Sequence, residues 1–297
     1  MTEAPGARAD RRLGLLFVAP ALVVMAAVAL LPIAATAWEA MHRHDLRLPW
    51  LGRPFIGFDN FLEAAGDPRL RDALLHTIGF AAVTVPLELA AGVALALLLH
   101  RRAWYRPIAR VIALLPWALP TVVAALVWRF MFDAQAGVLM TTLQQAGFGA
   151  DWFADPWLAW LPVIAADAWK TTPFVALLVL AGLQTIDPLL YEAARVDGAG
   201  PFRQFITITL PLLWPSLLVA AAFRALDALR IFDIPYVMTG GGPGTATEPI
   251  SLYAFIAVMQ RLRFGYGAAL ALLVFALTLA FALLCARTLA RGLERPR

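Results

Sequence analysis

The stretch Asp187-Pro-Leu-Leu-Tyr-Glu-Ala-Ala-Arg-Val-Asp-Gly-Ala-Gly-Pro-Phe-Arg-Gln-Phe-Ile-Thr-Ile-Thr-Leu-Pro211 separates two long apolar runs, and its reading organises the chain. Asp187 can cap a helix whose first position is Pro188: a side-chain acceptor there satisfies a free N–H, and proline has none to leave unpaired. The helix is expected to run to about Asp197 and to stop at Gly198 in a left-handed C-terminal cap. A second start follows at Pro201 and leads to Pro211, where the next apolar run begins. Two short helices set at an angle by a glycine turn make a rigid knob, suited to a groove on a partner.

The flanking composition puts that knob at a membrane surface. Apolar residues make up 61% of the chain and charged residues 15%, against roughly 25% charge in soluble domains. Such a chain in water would expose the apolar patches that soluble monomers avoid. A hydrocarbon core of roughly 30 Å takes about 20 apolar residues in a helix. Six stretches qualify: Leu13–Trp38, Ala73–Leu99, Ile108–Phe132, Trp157–Gly182, Pro211–Phe232 and Gly267–Ala290. The predicted fold is therefore all-α, a polytopic bundle of six transmembrane helices. The organisation expected is a tail over 1–12, a first span with its outer loop over 13–72, a five-span core over 73–290 that contains the loop 187–211, and a tail over 291–297. The run from Leu13 is too long for a secretory signal, whose apolar region is about 7–15 residues.

An even number of spans puts both termini on one side. Arg8, Arg11, Arg12, Arg101, Arg102, Arg106, Arg110, Arg195, Arg203, Arg287, Arg291, Arg295 and Arg297 flank one face. Arg43, Arg47, Arg53, Arg69, Arg71, Arg261 and Arg263 flank the other. The richer side is assigned to the cytoplasm. This predicts Leu183–Leu210 inside and Asp233–Tyr266 outside. The basic residues are spread over short loops rather than clustered, which argues against nucleic acid. Pro20, Pro32, Pro86, Pro116, Pro120, Pro162 and Pro173 kink the spans, and the freed carbonyls need neighbouring helices or a wet cavity. Kinks on this scale suit a moving pathway more than an anchor. The single cysteine, Cys285, reads as a small buried hydrophobe.

The loop 187–211 closely resembles the EAA loop of ABC importer permeases: Glu192-Ala193-Ala194, three residues, Gly198, nine residues, then Ile208, Leu210 and Pro211. Fixed identities over twenty positions are far more specific than a short motif. Trp169-Lys170-Thr171-Thr172-Pro173-Phe174, the stretch Phe223–Asp233 and Thr239-Gly-Gly-Gly-Pro243 resemble the carbohydrate permeases of the maltose and trehalose type. Asn60-Phe61 and Phe264-Gly-Tyr-Gly-Ala268 are weaker echoes. The resemblance implies the type I importer fold and a permease that forms half of a translocation pathway for a di- or oligosaccharide. It implies a second homologous permease, two copies of a cytoplasmic ATPase, an extracytoplasmic sugar-binding protein and a bacterial inner-membrane location amid lipid. Glu192, Ala193, Ala194, Asp197 and Gly198 would then couple to the ATPase. No glycine-rich nucleotide loop is present in the sequence, so ATP and Mg are expected on the partner, with no cofactor, metal or catalytic residue in this chain.

An ionisable residue at membrane depth is expensive and is a functional candidate by default. Arg224, Asp227, Arg230 and Asp233 recur every three residues, so alternating signs can pair along one helix face. That face either lines the pathway or is a self-neutralising ladder against the partner permease. By the family resemblance, Asp167, Trp169, Lys170, Thr171, Arg224, Asp227 and Arg230 are expected at the sugar. Glu88 and Arg129 also lie in or near spans, with a weaker claim on it. Trp169, deep beside Lys170, is the expected stacking ring, whereas Trp157 reads as interfacial belt.

A membrane glycosyl transferase is a rival class, but it needs acidic or His clusters at an interface. His42 and His44 lack a matching acidic pair in sequence, and His76 and His100 are isolated. An anchoring protein has no use for the coupling loop. Glycerol phosphate or a polyamine are rival cargoes within the permeases.

Overall fold

The computed structural model describes residues 5–100, 104, 106–148 and 151–293, and among them no strand occurs. Five helices are long and apolar enough to cross a bilayer, and a helix pair broken at 90° passes the same test of length and composition, making six if the pair is one span. In order the elements are α1 (Pro5–Ala40), α2 (Asp59–Ala65), α3 (Pro68–His100), α4 (Arg106–Ala118), α5 (Thr121–Met131), α6 (Val138–Gln145) and α7 (Trp160–Leu183). They continue with α8 (Pro188–Val196), α9 (Pro201–Gln204), α10 (Leu210–Ala228), α11 (Asp233–Met238), α12 (Ile250–Met259) and α13 (Phe264–Leu293). Helix α1 begins at Pro5 and α13 runs to Leu293, so both helices extend into the expected tails 1–12 and 291–297. Their ends, 1–4 and 294–297 with Arg295 and Arg297, and also Arg101 and Arg102, lie outside the described residues.

Two spans depart from the sequence expectation, the second of them at both ends. The third, expected as one helix over Ile108–Phe132, is the broken pair α4–α5. Pro120 has no N–H to give Pro116, and a proline also turns the preceding residue away from helix, so Leu119 and Pro120 make the corner. The fifth stops at Ala228 rather than Phe232. Arg230 N–H donates to the Asp227 carbonyl and Ile231 N–H to that of Ala228, a tightened last turn that closes the helix. At its other end α9 does not stop before the span. A π-helical turn over Phe205–Thr209 joins α9 to α10, with Leu210 N–H reaching the Phe205 carbonyl. The wider turn makes room for the ring of Pro211, which would otherwise crowd the carbonyl four residues back.

The chain divides into two compact units, 1–67 with 254–273, and 68–253 with 274–297. In the first, the loop after α1 is pinned by Asn60, whose Nδ2 donates to the Ala40 carbonyl at 2.7 Å and the His42 carbonyl at 3.1 Å. Gly265 packs so tightly there that a Cβ would lie 2.1 Å from the His42 carbonyl oxygen. The two weakest sequence echoes, Asn60-Phe61 and the Phe264–Ala268 segment, thus meet at one joint. Around it Arg263 pairs with Glu63 at 2.6 Å, and Tyr266 donates to Asp67 at 2.6 Å. His44 bonds Glu39 through Nδ1 and Arg53 through Nε2. Asp45 takes both Nε and Nη2 of Arg47, at 2.9 and 2.5 Å. That hydrogen bonding lowers the Asp45 carboxyl to about 2.

In the second unit α3, α7 and α10 pack closely because small residues face each other. A Cβ on Gly92 of α3 would sit 2.4 Å from the Val175 side chain of α7, and one on Gly182 would sit 2.4 Å from Ser216 of α10. Ala96, Val175, Val179, Leu183 and Leu213 form one buried apolar cluster. Phe80, Val163, Ala166, Ala228 and Ile234 form another. Arg69 makes a fork to Glu248 at 2.7 and 2.5 Å, and Thr77 accepts the N–H of Ile250. These bonds hold the segment after α11 to α3. Within that segment Thr247 donates to the Gly242 carbonyl and meets Thr239 at 2.7 Å, so the Thr239–Pro243 motif is stitched into a compact loop.

Candidate functional site

Arg224 of α10 is 3% exposed and has carboxylates on three sides. Its Nε and Nη2 make a fork to Glu88 of α3, at 2.5 and 3.0 Å. Nη2 also reaches Asp167 of α7 at 3.1 Å, and Nη1 reaches Asp227 at 2.6 Å. Thr171, one turn after Asp167, donates to Glu88 at 2.9 Å. Four of the five guanidinium donors are thereby used, in the planar geometry that favours arginine over lysine at such a hub. Buried charges are retained only when paired and hydrogen-bonded, and here the pairing ties three helices together.

Sequence reasoning ranked Glu88 low because its partner lies 136 residues away. The available signal was its position: a carboxylate in the middle of an otherwise apolar run needs a cation from another span. The ladder expected along one face is partly realised. Asp227 bonds Arg224 and, at 3.4 Å, Arg230. Arg230 and Asp233, however, lie beyond the end of α10, and both are exposed.

Two cavities adjoin this hub and share Thr171, Arg224, Asp227 and Arg230 in their walls. The larger, about 510 Å³, adds Trp117, Phe174, Phe223 and the α13 residues Phe275 and Leu279. The smaller, about 290 Å³, adds Thr121, Asp167, Lys170 and Asp233. The aromatic surface therefore comes from Trp117 stacked on Phe174 at 6.0 Å, with Phe223 edge-on to Phe174. Trp169 lines neither cavity and packs instead beside Trp128, with ring centres 5.9 Å apart. Arg129 donates to the Val237 carbonyl at 2.9 Å and also lies outside both walls. Trp157 is 85% exposed, in a turn whose N–H groups Asp155 caps. Among the described residues no cluster of His, Cys, Asp and Glu has the arrangement of a metal site.

The knob read from 187–211 forms as its residues dictate. Asp187 accepts from Leu189 N–H at 2.9 Å. Helix α8 ends with Gly198 at φ +78°, Gly198 N–H donating to the Arg195 carbonyl and Ala199 N–H to that of Ala194. This pair of bonds is the Schellman arrangement that a left-handed glycine permits. Glu192 and Arg195 lie 4.0 Å apart and both point to the outside, as do Leu189, Val196 and Phe202. An apolar and charged surface is thus left open on a well-capped element.

Residues 88–295 match the family described as the binding-protein-dependent transport system inner membrane component. The chain is 42% identical over 273 residues to the trehalose/maltose transport system permease protein MalF of Thermococcus litoralis, covering 92% of both chains. It is 41% identical to the sulfoquinovosyl glycerol transport system permease protein SmoG of Agrobacterium fabrum, over 91% of this chain and 88% of that one. Its fold matches a chain from the crystal structure of a bacterial ABC transporter involved in import of the acidic polysaccharide alginate. That match has a TM-score of 0.80 at 22% identity, over 97% and 99% of the two chains.

Proposed function

The chain belongs to the binding-protein-dependent transport system inner membrane components, and from that membership we propose that it is one permease half of a sugar-importing ABC transporter. The observation that carries the reading is the pairing of a capped, solvent-facing α8 with a polar and aromatic cleft among α4, α7, α10 and α13. Orientation follows the arginine asymmetry: both termini and α8 are cytoplasmic, and the segment after α11 is extracytoplasmic. Glu192, Ala193, Ala194, Asp197 and Gly198 form the surface offered to a separate ATPase, which binds ATP and Mg. A second, homologous permease closes the pathway, and two ATPase copies drive it.

The cargo is a di- or oligosaccharide, with a neutral trehalose- or maltose-like sugar preferred. Thr171, Asp227 and Arg230 offer hydrogen bonds from the hub, and Trp117 and Phe174 offer flat apolar surface to the C–H face of a sugar ring. Asp167 and Arg224 hold that wall in place. A negatively charged cargo is the second reading. Arg230 supports it, being exposed at the cleft and held only at 3.4 Å by Asp227.

Co-purification after mild detergent extraction, followed by mass spectrometry and ATPase assays with candidate sugar-loaded binding proteins, tests the reading. Recovery of a second permease and an ATPase, with hydrolysis stimulated by one loaded binding protein, is expected. Stimulation by an acidic sugar alone would select the second reading. Reproducible recovery of the chain alone, without ATPase activity, would overturn both.

A further inference from the structure

Lys170 is the only lysine of the chain, it is 9% exposed, and its ammonium is aimed at backbone. Nζ donates to the Leu119 carbonyl at 2.7 Å and to the Trp117 carbonyl at 3.3 Å. These oxygens belong to the corner between α4 and α5, where the span bends by 90°. A helix end leaves its last carbonyls without intrahelical partners, and within a bilayer each such group is costly unless protein or water satisfies it. The C-terminal end of a helix also carries partial negative charge, which a cation offsets. Lys170, reaching across from α7, supplies two donors and the charge to one spot.

The bond to Trp117 has a second consequence. Its carbonyl is held by Lys170 while its indole lines the 510 Å³ cavity and stacks on Phe174. We propose that Lys170 is a positioning residue that clamps the broken span and sets the Trp117 ring against the sugar, rather than a sugar ligand itself. The proposal rests on the transporter reading above. Lys170 borders the smaller cavity, but two of its three donors are committed to the corner. Asp167, one turn before it on α7, hydrogen-bonds Arg224, whereas the ammonium hydrogen-bonds the two corner carbonyls.

The test is a double-mutant cycle on sugar uptake by the complete transporter in proteoliposomes, at saturating loaded binding protein. Lys170→Met and Trp117→Ala are each expected to lower uptake about tenfold, the scale of one lost aromatic contact. Combined, they should still lower it about tenfold, because both remove the same placed ring. Lys170→Arg, which keeps a cation with several donors, should stay within about threefold of wild type. A loss near a hundredfold in the double variant, or Lys170→Arg as weak as Lys170→Met, overturns the proposal. If Lys170→Met does not assemble, the wild-type complex decides. An amine-specific reagent mapped by mass spectrometry reads Lys170 as the single lysine, its peptide resolved from that of any α-amine. The clamp predicts the same low reactivity with and without sugar, and protection that appears only with sugar would assign Lys170 to the sugar. Absence of any uptake by wild type would instead fail the transport reading, leaving the labelling result to judge the clamp.

Discussion

The hub around Arg224 and the knob around Glu192 both carry opposed charges on helices, and they use them in opposite ways. At the hub, Glu88 is 0% and Arg224 3% exposed, with fork bonds at 2.5 and 3.0 Å. At the knob, Glu192 and Arg195 stand 4.0 Å apart with more than 60% of each side chain exposed. An exposed pair at that distance contributes about 0.3–0.5 kcal/mol. Breaking a buried pair costs about 3–5 kcal/mol, because the remaining charge has nowhere to go. The lesson is that the hub's charges hold the fold together, whereas the knob's charges are free for a partner.

Arg224→Met should break the comparison most strongly. It leaves Glu88 buried without its cation, at a cost of about 3–5 kcal/mol, and the yield of assembled transporter should collapse. Replacing Arg224 together with both of its buried carboxylates, as Arg224→Met, Glu88→Met and Asp167→Asn, should recover much of that yield, measured by size-exclusion chromatography of the detergent-solubilised complex. If Arg224→Met assembles as well as wild type, the hub does not hold the helices.

At the knob the expected effect falls on coupling and leaves assembly alone. Gly198→Asp puts a side chain at φ +78°, a strain of about 1–2 kcal/mol confined to the turn. Glu192→Lys reverses a charge that stands open to solvent. Both variants should insert normally and lose most sugar-stimulated ATPase and uptake. Full retention of either activity would remove α8 from the coupling role.

Arg230 lies between the two regimes, exposed but bonded to a hub member. Arg230→Gln should lower uptake only about threefold to tenfold for a neutral sugar, in line with one hydrogen bond. Inhibition by a negatively charged analogue should weaken further if the second cargo reading holds.

The smallest effect belongs to Asp45 in the loop after α1. Its carboxyl sits near 2 when folded, below its ordinary 3.8, so the contribution is present above about pH 4 and fades as pH falls to about 2. Asp45→Asn should therefore loosen the loop at neutral pH, read as faster limited proteolysis. The difference from wild type should shrink as the medium is acidified.

Much of the knob was legible in the sequence because its determinants are local. Asp187, Pro188, Gly198 and Pro201 act on backbone within a few residues, and each does in the structure what its chemistry requires. The span count was legible for the same reason: a bilayer needs about 20 apolar residues wherever they fall. The hub was legible only in part. Asp167, Thr171, Arg224 and Asp227 were named, but Glu88 was ranked low, and the ring that lines the larger cavity, Trp117, was not singled out. The corner between α4 and α5 was read as a continuous span, although Pro116 and Pro120 marked it.

The sequence by itself determined the solvent of this chain, its helical class, its family and the form of the knob at 187–211, since these depend on composition and short-range backbone chemistry. Tertiary structure alone decided which buried charges meet and which aromatic rings face the cleft. It also decided that the lone lysine serves the backbone of a broken helix. The physical reason is distance along the chain. Glu88 and Arg224, or Lys170 and Leu119, acquire meaning only when packing brings them within 3 Å, and no local propensity records that approach.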